Sequence, residues 1–136
     1  MSTIRITTAL LLGLLGLSAC KKEVTQVVNQ AYSVSYNIKT TDWVAADQGY
    51  SYSVTLTVDE LDKVIVDDGG VVVYLSFDNG ISYVAIPQEF GGVSYGAVHQ
   101  NKSLYIDFHN IDGSTPQLPT GLVIAKVVLL DAQHLQ

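Results

Sequence analysis

The segment 105–109, YIDFH, alternates polar and apolar residues and contains three side chains capable of chemistry. Tyr105, Asp107 and His109 would share one face of a strand, and a nearby serine would complete the residue types of a nucleophilic site. A flat strand face rarely gives a catalytic histidine the geometry it needs. We therefore interpret the three residues as an exposed polar stripe, with Tyr105 and His109 as candidate binding residues.

A second candidate is an acidic segment around a predicted helical turn, in which Asp67 and Asp68 are the best-placed pair of calcium ligands. Carboxylate oxygens suit Ca²⁺, but the segment lacks the D-x-D-x-D-G spacing of an EF-hand loop. Acidic residues at helix starts and turns are also ordinary solvated caps. The sequence predicts no cofactor.

The chain also has eight tyrosines and one tryptophan, which could form a platform for sugars or peptides. Four tyrosines fall on the inward side of predicted strands and are expected in the core: Tyr32, Tyr36, Tyr50 and Tyr52. Trp43 lies in a predicted loop and is therefore the aromatic candidate for contact with a partner, although a tryptophan can also cover the edge of a sandwich.

Cys20 is the only cysteine, and it follows a segment with the layout of an export signal. Arg5 precedes an apolar run, and the small residues Ser18 and Ala19 come directly before the cysteine. The run is shorter than the ~20 apolar residues that span a bilayer. A lone thiol is unusual in an exported protein, so the position of Cys20 indicates a dedicated role.

Residues 17–20, LSAC, resemble the lipobox of bacterial lipoproteins. The resemblance implies that residues 1–19 are removed, that Cys20 becomes the acylated first residue, and that acyl chains attach the protein to the outer membrane. Lys21, Lys22 and Glu23 partly match a signal for surface export in Bacteroidota, which leaves the cell surface and the periplasmic face both open.

The mature chain would carry six lysines against thirteen acidic residues, a net charge of −7. Such a chain repels phosphate backbones, so we exclude nucleic acid as a partner. Residues 20–30 are expected to form a tether that reaches at most ~35 Å.

Residues 31–136 alternate apolar and polar positions over several segments, which predicts strands. The clearest are 31–39 and 50–58, with later strands at 71–77 and 121–131 expected to be central because they are apolar on both faces. Asn79 and Gly80 predict a tight hairpin turn whose return strand is ended by Pro87.

These elements predict one all-β domain, an antiparallel β-sandwich of about seven strands with Greek-key, immunoglobulin-like connections. One short helical turn is expected near 59–66, with Asp59 as its N-cap and Leu61, Val64 and Ile65 on its apolar face. A small closed barrel is the alternative.

The segment YSYSVTLTVDELDKVIVDDGGVVVYLSF and the later GSTPQLPTGLVIAKVVLL resemble a group of Bacteroidota lipoproteins. The matching positions are Trp43, Val58, Glu60, Leu61, Val66, Asp68, Gly70, Val71, Val73, Tyr74 and Gly113 to Pro116. The resemblance implies a cell-envelope protein and brings no known activity with it.

Together these features predict a lipid-anchored, non-enzymatic interaction or accessory module with a protein partner in the envelope. Its working surface would be the loops and strand edges away from the tether. The alternative is a carbohydrate-binding accessory lipoprotein. An exposed edge strand would favour the first function, whereas a groove lined by Trp43 and tyrosines would favour the second.

Overall fold

The computed structural model describes residues 30–132, so Cys20, the predicted export signal and most of the predicted tether lie outside the described residues. This part of the chain contains nine strands and one α-helix. Their bounds are β1 Ala31–Ile38, β2 Val44–Ala46, β3 Ser51–Thr57, α1 Lys63–Asp68, β4 Gly70–Ser76, β5 Val84–Ile86, β6 Gln88–Phe90, β7 Val93–Gln100, β8 Ser103–Asn110 and β9 Val123–Leu130.

The strands form two antiparallel sheets, which confirms the predicted all-β sandwich. One sheet has the order β1-β9-β4-β5 and the other β2-β3-β8-β7-β6. The prediction missed β2 and β6 because each has only three residues, too few to show an alternating pattern. Among the described residues, no helix is long and apolar enough to cross a membrane.

The core lies between the two sheets and contains the inward residues of both. In β8 the residues that alternate with the predicted polar stripe are expected to face inward, and all three are buried: Leu104, Ile106 and Phe108. β9 and β4 occupy interior positions of their sheet, as predicted. Because β4 is apolar on both faces, both would be expected to be covered, but its outer face is only half-buried. There the ammonium group of Lys126 lies 4.7 Å from the ring centre of Tyr74, so this expectation is wrong.

Two of the four tyrosines expected in the core are instead exposed: Tyr32 is 44% and Tyr50 54% accessible. Tyr32 is the second residue of the edge strand β1. Tyr50 precedes β3 in a helical backbone conformation, with φ −83° and ψ −8°, so the alternation of the strand does not extend to it. Tyr36 and Tyr52 are partly buried against the core, and the Tyr52 ring stacks on Phe108 with a centroid distance of 5.6 Å.

The sandwich has two distinct ends, named here the helix end and the loop end. Ala31 and Gly70 both pair with Leu130, which places the start of β1 beside α1 at the helix end. At the opposite end of that sheet, Ile38 pairs with Val123. In the second sheet, Ser51 pairs with His109, and this pair also lies at the loop end.

α1 closes the helix end of the core. Its N-cap is Asp62, whose carboxylate accepts a hydrogen bond of 2.9 Å from the Ile65 N–H, so the prediction of Asp59 as the cap is wrong. Leu61 and Ile65 are buried while Val64 faces solvent. A Cβ on Gly69 would lie 2.3 Å from the Leu130 carbonyl oxygen, so glycine is needed for this close approach.

The loop between β4 and β5 belongs to the loop end. Asn79 and Gly80 have the predicted positive φ angles, 60° and 85°, but residues 77–83 form a longer loop than the tight hairpin turn expected. The Asp78 carboxylate organises this loop by accepting hydrogen bonds from the Ser82 hydroxyl and N–H and from the Ser76 hydroxyl. These bonds lower the pKa of Asp78 from 3.8 to about 2.

Candidate functional site

A polar cleft of about 360 Å³ opens at the loop end of the five-stranded sheet. Its walls are Asp47, Tyr50, Ser51, Asp107, His109, Asn110 and Gly113. The carboxylates, imidazole, amide and hydroxyl groups can donate and accept hydrogen bonds, and Tyr50 adds an exposed aromatic ring. The cleft therefore has the groups to bind a polar ligand and to position it against an apolar surface.

The outer face of β8 and its neighbours supplies the floor. His109 lies opposite Ser51 of β3 and Ser94 of β7, while Asp107 lies opposite Gly96. A Cβ at position 96 would lie only 2.7 Å from the Asp107 Oδ1 atom. Gly96 thus leaves the space in which the Asp107 carboxylate lies.

A left-handed turn at residues 47–49 forms one wall. Asp47, Gln48 and Gly49 all have positive φ, with values of 49°, 58° and 92°. For the two non-glycine residues this conformation costs about 1–2 kcal/mol each. The turn places the Asp47 carboxylate where its Oδ2 accepts a hydrogen bond of 2.9 Å from the Ser51 hydroxyl, and it is followed directly by Tyr50.

Side-chain hydrogen bonds fix the loop on the other wall. The Asn110 amide donates to the Ser114 hydroxyl at 2.9 Å and to the Thr115 carbonyl at 3.3 Å. Asp112 accepts bonds from the Ser114 hydroxyl and N–H, and these bonds lower the Asp112 pKa. This loop contains the G-S-T-P segment on which part of the family resemblance rests.

The structure separates the members of the predicted polar stripe. Asp107 and His109 line the cleft, whereas Tyr105 lies further along the same strand face, outside the cleft lining. Sequence reasoning missed Asp47, Tyr50, Ser51 and Asn110. These residues come from different segments, and only the pairing of β3 with β8 brings them together.

Gly92, Ser94 and Gly96 have the G-x-S-x-G spacing of a nucleophile elbow, a match that the sequence-based interpretation overlooked. The structure places Ser94 within β7 and pairs it with Glu89 of β6 and His109 of β8. An elbow requires a sharp strand-to-helix turn whose N–H groups form an oxyanion hole. A regular strand paired on both sides does not provide that geometry.

Trp43 is 5% accessible and belongs to the core, so it does not provide the exposed partner contact expected from its predicted loop position. Its ring packs edge-to-face on Phe108, with a centroid distance of 5.0 Å. The indole N–H has no hydrogen-bond partner among the described residues. Trp43 therefore packs against the inward face of the second sheet rather than facing a ligand.

Asp67 and Asp68, the candidate calcium ligands, end α1. Asp67 forms an exposed ion pair with Lys63, one helical turn earlier, which raises the Lys63 pKa. Within residues 30–132, no group of three or more His, Cys, Asp or Glu side chains is arranged to hold a metal ion. The structure thus offers no additional ligands to support the predicted calcium site.

Exposed apolar side chains form a second feature of the loop end. Ile81 is 87% accessible at the tip of the β4–β5 loop, and Phe77, Tyr83 and Leu122 are also exposed. Phe77 and Leu122 share a small cleft of about 190 Å³. We call these four residues the apolar rim. Several exposed apolar residues at one end of a domain are typical of interaction surfaces.

Comparison with known proteins adds no assignment, because no family model matches the chain and no curated protein or solved structure is significantly similar to it. The resemblance to Bacteroidota lipoproteins therefore stays a prediction.

Proposed function

We propose that this chain is a lipid-anchored, non-enzymatic module of the outer membrane that binds a protein partner through its loop end. The observation that carries the proposal is the contrast between the two ends. At the helix end α1 buries Ile65 but leaves Val64 exposed beside a cleft of about 190 Å³ that Tyr32 also lines. The loop end combines the apolar rim with the larger polar cleft. Apolar anchors beside hydrogen-bonding groups are the usual composition of a protein-binding surface.

The export signal and the lipobox-like sequence before Cys20 support the membrane attachment. β1 begins eleven residues after Cys20 and at the helix end, so the proposed tether joins the domain there and the loop end is the far end of the sandwich. Recognition by loops at the free end of a rigid scaffold is a common arrangement.

The geometry of the cleft supports a binding role over a catalytic one. The Ser51 hydroxyl donates to Asp47, so it is not held against the imidazole of His109. Ser94 lies on a regular strand, so the backbone N–H groups around it belong to the sheet and do not form an oxyanion hole.

One observation favours a second candidate, a carbohydrate ligand. The exposed ring of Tyr50 lies beside Asp47, Asp107 and Asn110, and sugars bind through stacking on aromatic rings combined with hydrogen bonds to such side chains. The cleft rather than the apolar rim would then be the working site, and Tyr50 would take the role that was expected for Trp43.

Site-specific photo-crosslinking in intact cells tests the choice of surface. A photoreactive amino acid replaces Ile81 at the loop end or Val64 on α1, two exposed aliphatic residues at opposite ends. The proposal predicts a discrete protein adduct from position 81 and none from position 64. Adducts from position 64 alone, or from neither position, would contradict it.

The carbohydrate candidate has its own test. Purified protein is assayed against envelope polysaccharides, with Tyr50→Ala as the variant and Tyr105→Ala as the matched control on the same sheet face. Binding that is lost with Tyr50→Ala and kept with Tyr105→Ala would favour the sugar ligand over the protein partner.

The anchor is tested by metabolic labelling with a palmitate analogue. Wild-type protein should incorporate the label and fractionate with outer membranes, and Cys20→Ala should do neither. Protease treatment of intact cells then distinguishes the cell surface, where the domain is degraded, from the periplasmic face, where it is protected. Label retained by Cys20→Ala would contradict the anchor.

A further inference from the structure

β1 differs from every other edge strand of the sandwich. The four edges are β1, β2, β5 and β6, of which the last three have only three residues each. β1 has eight residues and pairs, within residues 30–132, with β9 alone. Its sequence, AYSVSYNI, contains no proline and no charged residue, and its register with β9 runs without a bulge. β1 thus lacks the features that usually protect an edge from pairing.

The hydrogen-bond pattern identifies the free backbone groups. The Asp131 N–H donates to the Gln30 carbonyl at 3.0 Å, immediately before β1. Since bonded and non-bonded pairs alternate in an antiparallel ladder, the even-numbered residues of β1 bond to β9. The N–H and C=O groups of Ala31, Ser33, Ser35 and Asn37 therefore point toward the open side of the sheet.

These four residues are self-complementary in one antiparallel register. When a second β1 strand pairs with the first around a two-fold axis at Val34, Ser33 pairs with Ser35 and Ala31 with Asn37. The free backbone N–H and C=O groups of all four residues are then hydrogen-bonded to the second strand. No other antiparallel register pairs all four. The intervening non-bonded positions bring Val34 opposite Val34 and Tyr32 opposite Tyr36, and aromatic cross-strand pairs stabilise such contacts.

We propose that the partner of this edge is a second copy of the same chain, joined through β1 in this register into a continuous eight-stranded sheet. Charge supports a second copy as the occupant, because β1 is uncharged although the chain as a whole is strongly acidic. The pairing also covers Tyr32, which is exposed in the single chain. A two-fold interface that uses the same residues on both sides is the commonest form of protein dimer.

The dimer is compatible with attachment of both copies to one membrane. Ala31 of one copy lies beside Asn37 of the other, so the two chain starts are about 20 Å apart, six steps of about 3.4 Å. A tether with a reach of up to ~35 Å lets both starts meet the same membrane surface. The two loop ends point in opposite directions and stay accessible, so the dimer does not depend on the function proposed for them.

Disulfide trapping of the full-length protein in detergent tests the register. In the paired strands, the two Val34 Cα atoms would be ~4.5 Å apart, within the range of a disulfide. Val34→Cys should form a covalent dimer on mild oxidation. The matched control is Thr55→Cys, an exposed site in the other sheet, and wild type reports any reaction of Cys20. A Val34→Cys protein that crosslinks no more than these controls overturns the proposal.

Proline substitution tests the backbone pairing independently. Ser35→Pro removes an N–H that points away from β9, so the fold should survive while the molar mass from light scattering falls by half. Ser35→Ala keeps the N–H and should remain dimeric. If circular dichroism shows that Ser35→Pro is unfolded, Ser35→Lys replaces it, because two lysines near the axis would repel each other. Dimers that persist in the folded Pro or Lys variant contradict the proposal.

Discussion

The helix end and the loop end of the sandwich are built on the same two sheets but differ in how they treat apolar side chains. At the helix end, Leu61 and Ile65 cover the core, and Asp62 caps the helix that carries Ile65. At the loop end, apolar side chains such as Ile81 and Leu122 remain accessible beside a polar cleft. The two ends differ in degree: the helix end buries Leu61 and Ile65 and leaves Val64 exposed, whereas the loop end presents more apolar side chains that the fold itself does not use.

Truncating one apolar side chain at each end tests most sharply whether the two ends differ in their contribution to stability. Leu61→Ala removes fully buried atoms and should lower the free energy of unfolding by about 2–5 kcal/mol. Ile81→Ala removes atoms that are already in water and should change it by less than about 0.5 kcal/mol. Urea denaturation of both variants measures the difference. Similar losses at the two sites would show that the loop end is also part of the stabilising core.

The helix cap gives the next largest expected effect. Asp62→Ala removes the acceptor for the Ile65 N–H and should cost about 1 kcal/mol of stability. Asp59→Ala is the matched control, because the structure gives that residue no capping bond to α1. Equal losses from the two variants would contradict the assignment of Asp62 as the cap.

The acid response of the loop end provides a third test. Hydrogen bonds from Ser82 and Ser76 hold the folded pKa of Asp78 at about 2, below its ordinary value of 3.8. The carboxylate form is therefore favoured by folding, and its contribution to stability is complete above about pH 4 and is lost as the pH falls toward 2. Asp78→Asn should remove this part of the acid dependence, as measured by thermal unfolding across that range. An unchanged acid profile would contradict the role given to the Asp78 bonds.

The smallest effect is expected for the ion pair on α1. Lys63 and Asp67 are both largely in solvent, so Lys63→Ala should reduce stability by at most about 0.5 kcal/mol. The effect should shrink further when salt is raised, because salt screens exposed charges. A loss above about 1 kcal/mol would show that the helix end depends on surface charge rather than on the burial of Leu61 and Ile65.

The sequence predicted the sandwich well wherever alternation was long and uninterrupted. β8 is an example, with Leu104, Ile106 and Phe108 inward as expected. Alternation failed at Tyr50 because this residue precedes β3 in a helical conformation, and at Tyr32 because the pattern does not record how well the start of an edge strand is covered. The choice of Asp59 as N-cap failed for a related reason: several acidic residues precede the helix, and the packing of Leu61 and Ile65 decides where it begins.

The sequence identified only some of the residues of the candidate site. The alternation of YIDFH correctly placed Asp107 and His109 on one face, and the structure finds both in the cleft. Asp47 and Tyr50 could not be identified, because they join the site through a left-handed turn and a strand pairing that no local pattern encodes. Trp43 was predicted to lie at the surface because the segment around it is irregular. Its side chain instead packs on Phe108.

Hydrogen exchange of the protein in native outer-membrane vesicles, compared with the purified protein in detergent, tests the central claim most directly. The proposed partner would be present in the vesicles and does not have to be identified beforehand. The account predicts that the native membranes add protection in residues 77–83 and 110–122 at the loop end, while residues 59–69 at the helix end exchange equally in both samples. Added protection confined to the helix end, or identical exchange throughout the domain, would contradict the assignment of the loop end as the recognition surface.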